Sequence, residues 1–195
     1  MQLFALYQEG GFIMHPLLGC LILSVSIAIE KIITLKKLKK DSIAVKEAFD
    51  QKADLSNFNQ FVANPYRAIN TFKALGKAEV KENAARFSDL LNKKLSGNTW
   101  MVGTVASSAP FIGLLGTVVG IIKSFASISE AGKGGFAIVA ADLSEALIAT
   151  AAGILVAVIA LILFNYIKQK SKETIDQYNA EIEDTIENMF LKKEA

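Results

Sequence analysis

Three long stretches of this sequence carry no charged side chain, and they constrain the fold more than any other feature. They cover residues 10–29, 95–122 and 146–167. About 20 apolar residues suffice for a helix to cross the ~30 Å hydrocarbon core of a bilayer. A soluble domain would intersperse its charges among apolar residues, whereas here they are excluded from all three stretches. The sequence therefore predicts an all-α fold, a membrane protein with three transmembrane helices.

Lysine positions predict the orientation of these helices. Lysines follow the first stretch at positions 31, 36, 37, 39 and 40, and the third at 168, 170 and 172. A cleavable signal peptide, the alternative for the first stretch, needs positive charge before its apolar region, and residues 1–10 contain no Lys or Arg. The positive-inside rule then predicts a periplasmic N-terminus and a cytoplasmic C-terminus.

This topology divides the chain into six segments. They are an N-terminal segment with transmembrane helix 1 (1–35), a cytoplasmic helical region (36–98), transmembrane helix 2 (99–123), a periplasmic hairpin (124–144), transmembrane helix 3 (145–168) and a cytoplasmic C-terminal helix (169–195). We interpret both cytoplasmic segments as long extensions of the membrane helices. Helical periodicity runs through the first, where Asn64-Pro65 predicts a break. In the second, Ile175, Tyr178 and Ile182 are spaced to pack against another helix.

Small and helix-breaking residues are concentrated in the second and third transmembrane helices. Small side chains let helix backbones approach closely, so these helices are expected to pack against protein as well as lipid. A proline in mid-span frees a backbone carbonyl and favours a polar or hydrated interior. The residues predicted to shape this packing are Pro110, Gly113, Gly116, Gly120 and Gly153.

Thr117, Thr150 and Glu145 are the polar candidates in these helices. Thr117 lies six residues before Lys123, and Thr150 five residues after Glu145, which predicts one shared layer for the two hydroxyls. Each hydroxyl could bond to its own helix or line an oligomeric pore. Glu145 at the outer mouth of the third helix could lie on an ion path or simply reach water. From these residues alone, both questions stay open.

Other functional classes find little support in the sequence. The single histidine, His15, rules out a metal site with several histidine ligands within one chain, and the single cysteine, Cys20, rules out an internal disulfide. No phosphate-binding loop, metal-ligand spacing or nucleic-acid motif occurs in the cytoplasmic segments. We therefore expect no enzyme activity, no cofactor, no metal site and no nucleic-acid partner.

Two motifs resemble the MotA/TolQ/ExbB proton-channel family, and its three-span ExbB and TolQ branch in particular, with ExbB the more similar. Residues 109–121, APFIGLLGTVVGI, are similar to the family pattern A-P-F-x-G-L-x-G-T-V-x-G-I. Residues 143–153, LSEALIATAAG, are similar to I-x-E-A-L-x-A-T-A-x-G. The close resemblance covers about residues 98–168. It favours the pore interpretation of Thr117 and Thr150.

The resemblance implies a bacterial inner-membrane motor subunit driven by proton flow. It implies a homo-oligomer, a pentamer, around the helices of an ExbD- or TolR-like single-span partner, which would supply the proton-accepting aspartate. It further implies coupling to a TonB-like protein, or to a TolA-like one if the chain serves the Tol-Pal envelope system. A non-conducting membrane scaffold is an alternative, and sodium is an alternative to the proton.

Overall fold

Helices make up almost all of the described chain. The structure is a computed structural model that describes residues 7, 9–72, 74, 76–131 and 136–194. Its helices, in chain order, are α1 (Met14–Asp50), α2 (Gln60–Phe72), α3 (Lys77–Ser96), α4 (Thr99–Ala131) and α5 (Phe136–Glu194). No strand occurs among the residues described. The predicted all-α class is confirmed.

The apolar stretches of the sequence lie within three long helical stretches. Met14–Asp50, Lys77–Ser129 and Val139–Leu191 each contain a window apolar and long enough to cross a membrane. Fewer than a third of the residues in each window are buried within the chain. Apolar side chains make up most of the remaining surface, which suits contact with lipid or with other membrane helices. The prediction of three membrane-spanning helices is confirmed at the level of length and composition.

The chain divides into two compact units. The span unit comprises Met1–Ala28 and Asn98–Asn165, and the distal unit comprises Ile29–Gly97 and Tyr166–Ala195. Each unit has its own apolar core. The span-unit core draws on α1, α4 and α5, through Leu17, Ile27, Val102, Val105, Ala109, Val156, Ala157 and Ala160.

Four helices contribute to the core of the distal unit. The C-terminal part of α5 buries Ile175, Tyr178, Ile182 and Ile186, a spacing that keeps one helix face inward. This confirms the start of the predicted seam. From the other helices come Leu35, Leu38, Val45, Val62, Ala63, Tyr66, Ile69, Val80, Ala84, Leu91 and Leu95.

The predicted break at Asn64-Pro65 is wrong, because α2 continues through both residues. The helix begins at Gln60, where Asn59 caps it: the Asn59 side chain accepts a hydrogen bond from the Phe61 N–H at 3.1 Å. Pro65 removes only the bond that its own N–H would have donated to Phe61. Burial of Tyr66 and neighbouring side chains of α2 offsets that loss. The interruptions lie instead at residues 51–59 and between Phe72 and Lys77.

Lys31 stabilises the end of α3. The residue is buried, with 5% of its surface exposed, and its Nζ donates to the Lys94 carbonyl oxygen at 3.3 Å. A cation is favourable at a helix C-terminus, where carbonyl groups lack helical partners. Asn98 follows with φ 63°, a left-handed conformation that Asn tolerates, and α4 begins at the next residue. The first basic residue after the first uncharged stretch thus has a structural role in the distal unit.

Candidate ion-pathway site

Glycines bring the backbones of α4 and α5 together in the span unit. A Cβ atom added to Gly153 would lie 2.7 Å from the Ala109 oxygen and 2.8 Å from the Gly113 Cα. One added to Gly113 would lie 3.1 Å from the Thr150 Cα. Distances below 3.0 Å to backbone atoms cannot be relieved by side-chain movement, so a residue with a Cβ would force the helices apart. The crossing point requires a glycine at 153.

Two further glycines continue this contact toward the C-terminal end of α4. An added Cβ at Gly116 would meet the Ala149 Cβ at 2.8 Å, and one at Gly120 would meet the Ala146 Cβ at 2.5 Å. Small residues on both helices therefore alternate along the crossing, as close helix packing in membranes requires. The geometry explains why the small residues predicted from the sequence fall on both helices.

Pro110 lies within α4 near this crossing and does not end the helix. Proline cannot donate a hydrogen bond to the residue four positions earlier, here Ala106, so a carbonyl is released from the regular helix pattern. The next residue toward the N-terminus, Ala109, is fully buried, and its carbonyl oxygen is one of the backbone atoms facing Gly153. Pro110 thus adjoins the tightest part of the contact.

The two threonine hydroxyls bond to consecutive residues of α4. Thr150 Oγ1 donates across to the Gly113 carbonyl oxygen at 2.9 Å, and Thr117 Oγ1 donates to the Leu114 oxygen of its own helix at 2.7 Å. Consecutive helical residues differ by only 1.5 Å in height. The hydroxyls therefore lie near one level, as the sequence predicts. Local bonding holds for Thr117, whereas the bond from Thr150 to the other helix was not predicted.

Both threonines are half-buried, and their donated protons leave oxygen lone pairs available. A hydroxyl whose proton is committed to a backbone carbonyl presents an acceptor to anything that approaches its oxygen. Such an oxygen can replace part of the hydration of a cation or of a proton carried by water. It cannot, however, take up a proton near neutral pH as a carboxylate does.

Glu145 lies in a charged cluster with Lys123 and Asp142. Lys123 Nζ is 3.0 Å from Glu145 Oε2 and 3.5 Å from Asp142 Oδ1, and Ser127 donates to Asp142 Oδ2 at 3.4 Å. Gly11 packs against the Glu145 carboxylate: its φ is +66°, and an added Cβ would overlap Oε1. The two carboxylates and one ammonium carry a net negative charge at the ends of α4 and α5 nearest their connection.

Lys123 was missed as a site residue because the sequence reading treated it only as the boundary of a span. The sequence nevertheless contains a pattern that predicts the pairing of Lys123 with Glu145. Lys123 and Glu145 lie equally far in sequence from position 134, within one residue of the midpoint between the end of α4 and the start of α5. Residues placed symmetrically about the connection of two antiparallel helices come to the same level. Opposite charges at such positions predict an ion pair.

Comparison with known proteins identifies a family over most of this region. The sequence model of the "MotA/TolQ/ExbB proton channel family" matches residues 56–180. "Biopolymer transport protein ExbB" of Aquifex aeolicus is 40% identical over 123 residues, which cover 63% of this chain and 81% of that protein.

Two Pseudomonas proteins are also similar to this chain, but the similarity covers a smaller part of their length. The P. putida protein "Biopolymer transport protein ExbB" is 34% identical over 119 residues, 59% of this chain and 35% of that protein. The P. aeruginosa "Tol-Pal system protein TolQ" is 38% identical over 86 residues, 44% of this chain and 37% of that protein. The matches to these two therefore span little more than a third of their length.

Proposed function

Since the chain belongs to the MotA/TolQ/ExbB proton channel family, in its ExbB and TolQ branch, we propose that it is the proton-conducting subunit of an energy-transducing membrane motor. The threonine layer carries the proposal. Thr150 and Thr117 offer two half-buried hydroxyl oxygens at one level of the closest contact between membrane helices. The proposed activity is transport and not catalysis.

In this proposal, Glu145 collects cations at the outer mouth of the path. The Glu145 side chain is 38% exposed and that of Lys123 is 55% exposed, so solvent reaches their ion pair and another cation can replace the lysine. Thr150 lies about one and a half helical turns beyond Glu145 along α5. A proton that leaves the mouth would next meet the hydroxyl layer.

The path requires more than one chain, because three spans enclose little space. Several apolar side chains on α4 and α5 have about half or more of their surface exposed, among them Phe111, Leu114, Leu147, Leu155 and Leu161. These faces suit neighbouring membrane helices. We propose a homopentamer that surrounds the helices of an ExbD- or TolR-like single-span partner, whose aspartate takes the proton, and that works a TonB-like protein.

The proposed setting is the bacterial inner membrane, with the N-terminus in the periplasm and the C-terminus in the cytoplasm. The lysines that follow the first and third spans support this orientation through the positive-inside rule. A role in the Tol-Pal system is the second candidate, supported by the similarity to TolQ. There the same motor would work a TolA-like protein instead.

Proton flux through Thr150→Val tests the proposal. Valine keeps the shape of threonine but lacks the hydroxyl, so a path that uses this oxygen should slow by roughly tenfold or more. The complex with its single-span partner is reconstituted in liposomes with an internal pH dye, and the flux is measured under an imposed gradient. Glu145→Gln should also slow the flux, by removing the charge at the mouth.

Thr104→Val is the control, because the Thr104 side chain is exposed and its hydroxyl bonds only within its own helix, to the Trp100 carbonyl oxygen. It should leave the flux unchanged. Unchanged flux in Thr150→Val would refute the role of the threonine. No flux from the native complex would favour the scaffold, and flux that follows a sodium gradient at constant pH would identify sodium as the ion.

A further inference from the structure

A basic groove opens in the distal unit between α1 and the part of α5 that follows the third span. It encloses about 220 Å³. The side chains on its α1 side are Ile32, Leu35, Lys36 and Lys39, and those on its α5 side are Tyr166, Lys170, Glu173, Thr174 and Gln177. From its charge, its apolar part and its position, we propose that this groove binds the phosphate headgroup of an anionic phospholipid.

The charge of the groove favours an anion. Lys36 and Lys39 are exposed, and neither has a carboxylate within ion-pair distance among the residues that the structure describes. Lys170 is paired with Glu173 at 2.7 Å, so these two charges largely cancel. Two uncompensated ammonium groups therefore face one small groove. A phosphodiester would satisfy them with charge-assisted hydrogen bonds.

The direction of the helices aims these lysines at the membrane surface. The Cα–Cβ bonds of a helix tilt toward its N-terminus. In both α1 and α5, the uncharged stretch precedes the groove lysines, so the side chains of these lysines lean toward the apolar part of the same helix. Lys36 follows the last residue of the first uncharged stretch by seven positions, about 10 Å along the helix. A long lysine side chain can reach back to a headgroup over that distance.

The apolar residues distinguish a lipid from a free anion. Ile32 and Leu35 line the groove beside the lysines, and Ile29 and Ile33, on α1 beside them, are more than half exposed. Tyr166 adds an aromatic ring with a polar end, a residue type common at the membrane interface. An inorganic phosphate would contact only the lysines, whereas a phospholipid would also cover this apolar surface with its glycerol and acyl chains.

The adjacent lysines provide a matched test. Lys37 and Lys40 lie on the same turns of α1 and are exposed, but they do not line the groove. The double variants Lys36→Gln/Lys39→Gln and Lys37→Gln/Lys40→Gln remove the same charge from the same helix. Phosphatidylglycerol is titrated onto the full-length protein in detergent, and native mass spectrometry counts the lipids retained. Phosphatidylcholine and inorganic phosphate are titrated in parallel.

We expect the groove variant to bind phosphatidylglycerol roughly tenfold or more weakly than the native protein, and the control variant to bind it normally. Equal loss in both variants would show a diffuse basic surface and overturn the proposal. So would equal binding of phosphatidylcholine, or full displacement of the lipid by inorganic phosphate. Circular dichroism checks that both variants fold, and Lys39→Gln alone should give an intermediate affinity. The proposal uses the orientation proposed above, but lipid retention is measured without flux, so either proposal can fail separately.

Discussion

At the scale of single residues, Thr117 and Thr150 show what sequence reasoning can and cannot reach. Their positions and common level follow from the motifs and from the helical rise. The hydrogen bond from Thr150 to Gly113 does not, because it depends on how closely two helices approach. That approach depends on the absence of Cβ atoms at Gly113 and Gly153. A side-chain bond between helices is thus fixed by backbone packing.

Two buried tyrosines of the distal unit differ in how their hydroxyls are satisfied. Tyr178 donates to the Val62 carbonyl oxygen. Among the residues that the structure describes, the Tyr66 hydroxyl has no partner within hydrogen-bond geometry, and the nearby Thr185 hydroxyl donates to the backbone carbonyl oxygen of Glu181. An unsatisfied buried hydroxyl costs free energy, whereas a satisfied one contributes about 1 kcal/mol.

We therefore expect Tyr178→Phe to lower the free energy of unfolding by about 1 kcal/mol, and Tyr66→Phe to leave it unchanged or raise it by up to about 1 kcal/mol. Urea unfolding of the full chain in detergent, followed by circular dichroism, measures both. Equal destabilisation by the two substitutions would show that the Tyr66 hydroxyl has a partner after all.

Alkaline pH provides a second test of the Tyr66 environment. Burial, followed by the nearby carboxylates of Glu181 and Asp50, raises the pKa of Tyr66 above its ordinary value. As the pH rises past about 10, the unfolded state loses this proton before the folded state does, so folding stability falls. Tyr66→Phe should lose less stability than the native chain between pH 9 and 11, as measured by urea midpoints. An identical fall in both would contradict the assigned pKa shift.

At the scale of helices, sequence patterns located the elements better than their ends and faces. The uncharged stretches predict the spans because a helix that crosses a bilayer needs about 20 consecutive residues without charge. The break at Pro65 was wrong because the cap at Asn59 and the buried face of α2 outweigh one lost hydrogen bond. In α3, Leu90 is half exposed while Leu91 is fully buried, a difference that only the packing partner determines.

The glycine contact between α4 and α5 predicts unequal effects of one chemical change. Gly153→Ala places a Cβ against backbone atoms that cannot move independently, so it should destabilise the span unit by about 1–3 kcal/mol. Gly19→Ala is the control, because no atom lies within 4 Å of an added Cβ there. It should be neutral or slightly stabilising, since alanine favours a helix.

Thermal unfolding in detergent, followed by circular dichroism, distinguishes these variants. A lower melting temperature for Gly153→Ala alone is expected. If both variants melt like the native chain, α4 and α5 do not pack as closely as described. If Gly19→Ala is the more damaging, that face of α1 has a contact outside this chain, such as a neighbouring subunit.

At the scale of the whole molecule, the chain consists of two units with separate cores, although α1 and α5 contribute to both. The amphipathic pattern of the distal segments indicated helices but not their assembly. Their core combines residues from α1, α2, α3 and α5, which are far apart in sequence. Such long-range pairing depends on complementary side-chain shapes, and periodicity alone does not encode it.

Separate cores predict two unfolding transitions. Urea solvates the distal unit directly, whereas detergent or lipid shields the span unit, so the distal unit should unfold first with a partial loss of helix. Trp100, the single tryptophan, belongs to the span unit and should report only the second transition by fluorescence.

Leu91→Ala and Val102→Ala assign the two transitions, because each removes a fully buried side chain from one core. Leu91→Ala should destabilise the first transition by about 2–5 kcal/mol and leave the second unchanged. Val102→Ala should act on the second alone, and by less, because valine is smaller than leucine. A single transition that both substitutions shift equally would mean that α1 and α5 couple the units into one cooperative structure. In that case, strain in the distal unit would reach the threonine layer directly, and substitutions in either core would alter ion flux.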